Sequence, residues 1–180
     1  MEVGGLKRGV EMTTEARYSI PLAPTSTISE GSYEQLERAR KSKITAMCRK
    51  SLDLSDVAYR AGGGTMKLAY IEGHTTIDHL NEVFGPLGWN VTYGESTVVV
   101  SSPPGKLVLR VKCRLEVEGG KVWREDVGHG EDTRGDYEKA EKTAYTDALK
   151  RAARLFGPYF GLELYDKEKL KEIAIEKNKK

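Results

Sequence analysis

Residues 137 to 157 read Tyr-Glu-Lys-Ala-Glu-Lys-Thr-Ala-Tyr-Thr-Asp-Ala-Leu-Lys-Arg-Ala-Ala-Arg-Leu-Phe-Gly. The stretch has no internal glycine or proline and consists mostly of good helix formers. Asp136 is placed to cap its start, and Gly157-Pro158 to stop it. At a helical period Ala144, Ala148, Ala152, Tyr145, Leu149, Leu155 and Phe156 share one broad face. The alanines on that face are small enough for another element to approach closely. The opposite face carries Lys139, Lys142, Thr146, Lys150 and Arg154, with Arg151 at its edge. Cations near a helix C-terminus favour the helix dipole, so a solvated charged face accounts for them. A ridge that replaces counterions on a nucleic-acid backbone is the sharper reading, which the helix alone does not favour.

A long helix of this kind needs an apolar sheet face to cover, and residues 106 to 118 supply one. Leu107, Leu109, Val111, Cys113, Leu115 and Val117 alternate with Lys106, Val108, Arg110, Lys112, Arg114 and Glu116. Period-two alternation puts the apolar set on one face and four cations on the other. A bound anion would relieve such a row, and so would acidic neighbours on the next strand. Gly119-Gly120 reads as a hairpin turn, with Lys121 to Val127 returning, and a two-residue loop sets Arg114 opposite Glu125. Trp89 to Val100 reads as a further strand, followed by a turn at Pro103-Pro104. Gly128 to Gly135 reads as the loop leading to the long helix, with His129 as a turn residue.

Upstream, Ser32 to about Ser51 has a helical period among many cations. Asp53 to Gly64 reads as a connection ending in three glycines, and Thr65 to Ile71 as a strand. Thr75 to Phe84 reads as a short helix with Ile77, Leu80, Val83 and Phe84 inward. The order predicts an α+β fold, an antiparallel sheet against a long central helix with flanking helices. Residues 1–29, rich in Ser, Thr and Pro, read as a disordered arm, 30–165 as the domain, and 166–180 as a charged helix or tail.

The chain has 180 residues and a formal charge of +2, so only the distribution of charge points to a partner. Its two cysteines, Cys48 and Cys113, are far apart and suggest no disulfide framework. No apolar run approaches a membrane span. The glycine run lacks the Gly-x-x-x-x-Gly-Lys-Ser/Thr pattern, so an ATP-hydrolysing motor is not expected. His74, His79 and His129 lack zinc-ligand spacing, and neither a metal nor another cofactor is expected. Glu116, Glu118, Glu125 and Asp126, with Lys121 nearby, leave a metal-dependent nuclease open as an alternative.

Five strings in order carry a resemblance. They are Arg-Ala-Gly-Gly-Gly from Arg60, Tyr-Ile-Glu-Gly-His from Tyr70, and Leu-Asn-Glu-Val-Phe-Gly from Leu80 with Gly88-Trp89. The fourth is Glu-Asp-Val-Gly-His-Gly from Glu125, and the last runs from Glu138-Lys-Ala through Thr146 to Gly157. From about Tyr33 to Leu170 the chain resembles the amino-terminal domain of the Rad fifty-two family of single-strand annealing proteins. The resemblance implies a β-β-β-α core that assembles into a homo-oligomeric ring. It implies single-stranded DNA in a basic groove and annealing of complementary strands without nucleotide hydrolysis, in recombination and double-strand break repair. A non-annealing single-strand-binding protein is the other reading of the same groove.

By that resemblance Arg60, Tyr70, Lys142, Lys150, Arg151 and Arg154 are the DNA-contact candidates, and no catalytic residue is implied. Lys106 begins a candidate second site, which Arg110, Lys112 and Arg134 extend and which double-stranded DNA would use. The loop from Gly130 to Tyr137 is shorter than in animal members, with Arg134 its only cation, and His129 stands where a tyrosine is usual. The recombinase-recruiting region of larger members has no counterpart in these residues, so recombinase loading is not expected from them. The expected compartment is the nucleus for a eukaryotic source and the host cytoplasm for a bacterial or phage one.

Overall fold

The computed structural model describes residues 30–62, 67–102 and 105–177. The arm expected over 1–29, Gly63 and Gly64 of the glycine run, the Pro103-Pro104 turn and residues 178–180 lie outside the described residues.

The long helix forms as its composition dictates. It is α3, Tyr137–Arg154, and the Asp136 side chain accepts from the Lys139 amide at its start. It lies across an antiparallel sheet built on β5, Lys106–Val117, whose alternate residues from Leu107 to Val117 are buried. Strand β6, Val122–Asp132, pairs along one edge of β5 with Arg114 opposite Glu125, the register a tight Gly-Gly turn sets. Along the other edge lie β3, Trp89–Tyr93, and then β4, Thr97–Ser102. The single strand expected over Trp89 to Val100 is therefore broken at Gly94–Ser96, where the chain bends and resumes beside the same partner. Ser96 anchors the bend by donating to the Glu141 carboxylate of α3 at 2.6 Å.

The expected loop from Gly128 to Gly135 is also corrected, because β6 continues through Gly128 and Gly130 to Asp132. These glycines let two backbones touch. A Cβ on Gly128 would lie 2.1 Å from the Ala148 nitrogen, and one on Gly130 would lie 1.8 Å from the Ala140 oxygen. The alanine stripe of α3 and the glycines of β6 thus form one close helix–strand seam. Ala140, Ala144, Ala148 and Ala152 have no exposed surface. Around the seam, Leu109 and Leu115 are completely buried, each contributing about 1.5–3 kcal/mol by burial.

The stretch expected as a connection holds a strand, β1, Val57–Ala61, which pairs with β2, Lys67–Ile71, in a separate two-stranded sheet. Of its five residues only Val57 is buried, so no alternation marked it. Val57 and Ile71 pack with Leu52, Leu164 and Ile173 in a small second core. Ile173 comes from α4, Lys167–Lys177, the helical tail.

Helix α1, Glu30–Cys48, and helix α2, Gly73–Phe84, cover the remaining flank. In α2 the inward set is Thr76, His79, Leu80 and Val83, whereas Ile77 is 40% exposed. His79 takes the inner place because the turn after α3 receives it. Its ring stacks on Tyr159 at 4.2 Å, its Nδ1 lies 2.9 Å from the Tyr159 carbonyl oxygen, and its Nε2 lies 3.2 Å from an Asp56 carboxylate oxygen. Gly157 begins that turn, and a Cβ there would meet the Cys48 carbonyl at 2.3 Å.

Candidate nucleic-acid interface

Two elements far apart in sequence bring three of the expected residues together. In the β1–β2 sheet Arg60 stands opposite Leu68 and Tyr70 opposite Ala58. The Arg60 guanidinium lies 5.7 Å from the centre of the Tyr70 ring, and Lys150 of α3 places its Nζ 5.3 Å from the same centre. One aromatic ring therefore holds two cations, each within cation–π range. Burial pushes the Lys150 ammonium below its usual pKa, and Arg60 adds to that, while Asp147 and Glu72 oppose it. A desolvated ammonium beside a second cation gains from an anion that enters between them. Lys142 lies two turns earlier on α3, exposed and without an ion pair among the described residues.

Arg151 and Arg154 are placed differently. One carboxylate, Asp126 of β6, holds both: Oδ1 accepts from Arg151 Nε at 3.3 Å and Oδ2 from Arg154 Nη2 at 3.2 Å. Burial raises the Asp126 carboxyl, but the Val127 amide and the two arginines outweigh it, and its pKa falls below the usual value. The Arg154 side chain is only 15% exposed, its guanidinium lies 4.3 Å from the centre of the Tyr165 ring, and its Nη1 is buried without a hydrogen-bond partner among the described residues. Arg154 was expected on the solvated face of the helix. The structure buries it under the chain that follows, and Leu155, expected inside, is 42% exposed instead. Arg151 keeps a third of its side chain exposed and engages Asp126 through Nε.

On the outer sheet face the row of four cations is largely neutralised by acidic neighbours. Lys106 lies 3.0 Å from Glu131, and Lys112 lies 2.9 Å from Glu125. Arg114 lies 2.7 Å from Glu116 and covers the exposed Trp123 ring at 4.6 Å. Arg110 stands opposite His129 and has no ion pair among the described residues. His129 itself is a strand residue whose backbone amide donates to Asp147 of α3 at 3.0 Å, not a turn residue. Arg134 lies in the loop before α3, and its backbone packs on Gly105, beside Lys106. Arg134 thus lies by Lys106 at the start of β5, while Arg110 and Lys112 follow four and six residues further along the same strand face.

The carboxylates of the nuclease alternative are each drawn to a cation: Glu116 to Arg114, Glu118 to Arg40, Glu125 to Lys112, and Asp126 to the two arginines. Glu116 and Glu125 share Arg114, and among the described residues no three His, Cys, Asp or Glu side chains gather as a metal-binding group. Two roles lie outside the sequence expectations, Asp126 as an organiser of the cations and Tyr165 as a cover for Arg154. Asp126 carries a signal, since it sits in the Glu-Asp-Val-Gly-His-Gly string two residues before Gly128, where the seam begins. Tyr165 carries none.

The arrangement presents cations and an aromatic ring on a helix and a two-stranded sheet. A family model described as Rad52/22 family double-strand break repair protein matches residues 40–180. The chain belongs to this family. Among curated proteins it is 38% identical over 138 residues to the DNA repair and recombination protein RAD52 of Eremothecium gossypii, covering 72% of this chain and 32% of that protein. The RAD52 protein of Saccharomyces cerevisiae is 38% identical over 133 residues, 69% of this chain and 28% of its own length. The DNA repair and recombination protein rad22 of Schizosaccharomyces pombe is 36% identical over 128 residues, 66% of this chain and 27% of its own. The chain spans about a third of the length of the curated relatives it matches.

Proposed function

We propose that this chain binds single-stranded DNA along Arg60, Tyr70, Lys142 and Lys150 and anneals complementary strands without nucleotide hydrolysis. Its role is in recombination and double-strand break repair, the processes in which its relatives are named. The observation that carries this reading is the Tyr70 ring flanked by Arg60 and Lys150. Two cations give phosphate affinity without sequence choice. The ring offers a base a stacking face, a sequence-tolerant contact of roughly 1–3 kcal/mol. Gripping the backbone leaves base edges free to pair. Arg151 adds its exposed part to the groove, and Arg154 shapes it from beneath.

The resemblance implies a homo-oligomeric ring, in which many weak contacts act together. A second site for double-stranded DNA rests on Arg110 and Arg134, with Lys106 shared with Glu131 and Lys112 with Glu125. The eukaryotic relatives favour a nuclear protein.

The test is to mix purified protein with two complementary labelled strands, without ATP or metal, and to follow duplex formation. Acceleration over the protein-free rate, lost in Arg60→Ala/Lys150→Ala, supports activity and site together. Binding without acceleration would reduce the function to single-strand protection. Cleavage of labelled DNA on adding Mg²⁺ or Mn²⁺ would favour the nuclease.

A further inference from the structure

A pocket of about 530 Å³ opens between α1, the end of α2 and the β5–β6 hairpin. This lies within the size range of ligand sites, about 300–1,000 Å³. Its floor is apolar, made by Ile44 and Cys48 of α1, Phe84 of α2, Val117 and Val122 of the hairpin, and Phe156 after α3. Phe84 and Phe156 meet edge to face with ring centres 5.3 Å apart, and Val122 is 37% exposed. The rim is cationic. Lys41, Arg49 and Lys121 stand around the mouth, all exposed, and none has an ion pair among the described residues. The remaining charged lining group, Glu118, is already held by Arg40, whose Nη1 donates to it at 2.8 Å and whose Nη2 donates to its other oxygen. The mouth therefore carries a net positive charge over an apolar floor that is half-buried at Ile44, Phe84 and Phe156 and exposed at Val122. None of Arg60, Tyr70, Lys142 and Lys150 lines it.

We propose that this pocket binds a short acidic peptide with bulky apolar side chains, a docking site separate from the DNA groove. The apolar floor receives the side chains, and the three cations meet carboxylates on either side of them. Nucleic acid fits less well. The Thr45 hydroxyl donates to the Lys41 carbonyl, and the floor offers little to hydrogen-bond a base edge. A phosphate backbone drawn to the rim would leave the apolar surface uncovered.

The test uses the full chain and fluorescence anisotropy with fluorescein-labelled Asp-Glu-Phe-Asp-Glu-Leu-Phe-Asp-Glu. Saturable binding is expected, reduced about tenfold or more by Arg49→Glu/Lys121→Glu and by Val122→Glu, and unchanged by Lys150→Ala. All three substituted pocket residues are exposed, and an unchanged urea midpoint checks that the variants fold. A peptide with Ser for Phe and Leu, and one with Asn and Gln for Asp and Glu, should each bind at least tenfold more weakly. Absence of saturable binding by the unaltered protein would overturn the proposal, as would equal binding of either control peptide. So would displacement by oligo-thymidylate that persists in Arg60→Ala/Lys150→Ala. A fall in oligomer mass by light scattering in Arg49→Glu/Lys121→Glu would also overturn it, because the rim would then be a contact between copies. Failure of strand annealing leaves the proposal untouched.

Discussion

At the scale of single residues, the charge of a side chain says less than what holds it. Lys150 and Arg154 lie one turn apart on the same helix, yet one faces Tyr70 and the other is fastened to Asp126. Replacing Arg60 or Lys150 by Ala should lower the salt dependence of DNA affinity by about one phosphate equivalent each, a slope change near 0.7–0.9, with the fold intact. Affinity titrations at several salt concentrations measure this. Asp126→Asn should act mainly on stability, because it leaves a largely buried guanidinium without its counter-charge. We expect a loss of about 2–3 kcal/mol in urea unfolding, larger than any direct effect on DNA contact.

Asp132 carries a pH prediction. It accepts from Lys139 Nζ at 2.9 Å and from the Arg134 and Asp136 amides, and these hold its carboxyl at about 2, below the ordinary 3.8. A depressed carboxylate pKa gives stability that is full above the unfolded value and is lost as pH falls through the folded one. Stability should therefore decline between about pH 4 and pH 2, and Asp132→Asn should flatten that decline, as measured by urea midpoints across the range.

At the scale of elements, the α3–β6 seam is the least tolerant feature. Ala at Gly128 or Gly130 would place a methyl inside backbone contact distance, and the helix would have to lift from the sheet. We expect about 3 kcal/mol or more of destabilisation, seen as a lower urea midpoint at unchanged slope. Both long elements were legible in sequence. The α3 composition and the β5 alternation are local patterns with periods of 3.6 and 2, and the Gly119-Gly120 turn fixed the hairpin register. What misled was glycine in Gly-His-Gly, where the need for a turn and the need for close packing leave the same mark. Strand β1 was invisible for another reason, since a five-residue strand with one buried side chain has no alternation to read.

At the scale of the molecule, the seam alanines of α3 belong to the two core clusters between helix and sheet, a smaller third core lies under β1 and β2, and α3 links these parts by carrying Lys150 to the β1–β2 sheet and its alanines to β6. If the proposed groove and assembly are independent, Arg60→Ala/Lys150→Ala should keep the oligomer mass of the unaltered protein in light scattering while losing most DNA affinity. A simultaneous loss of mass would place those residues between copies instead.

The chain by itself determined its α+β class, its central helix, its hairpin and its family, because these are recorded in periodicity and in ordered strings of neighbouring residues. Only the tertiary structure decided which cations are available. It brought Arg60, Tyr70 and Lys150 together from distant strands and helix, withdrew Arg154 beneath Tyr165, and set Glu131 and Glu125 against Lys106 and Lys112. The reason is physical. The sign of a charge is local, but its field depends on counter-charges within a few ångströms, and those arrive from other parts of the chain.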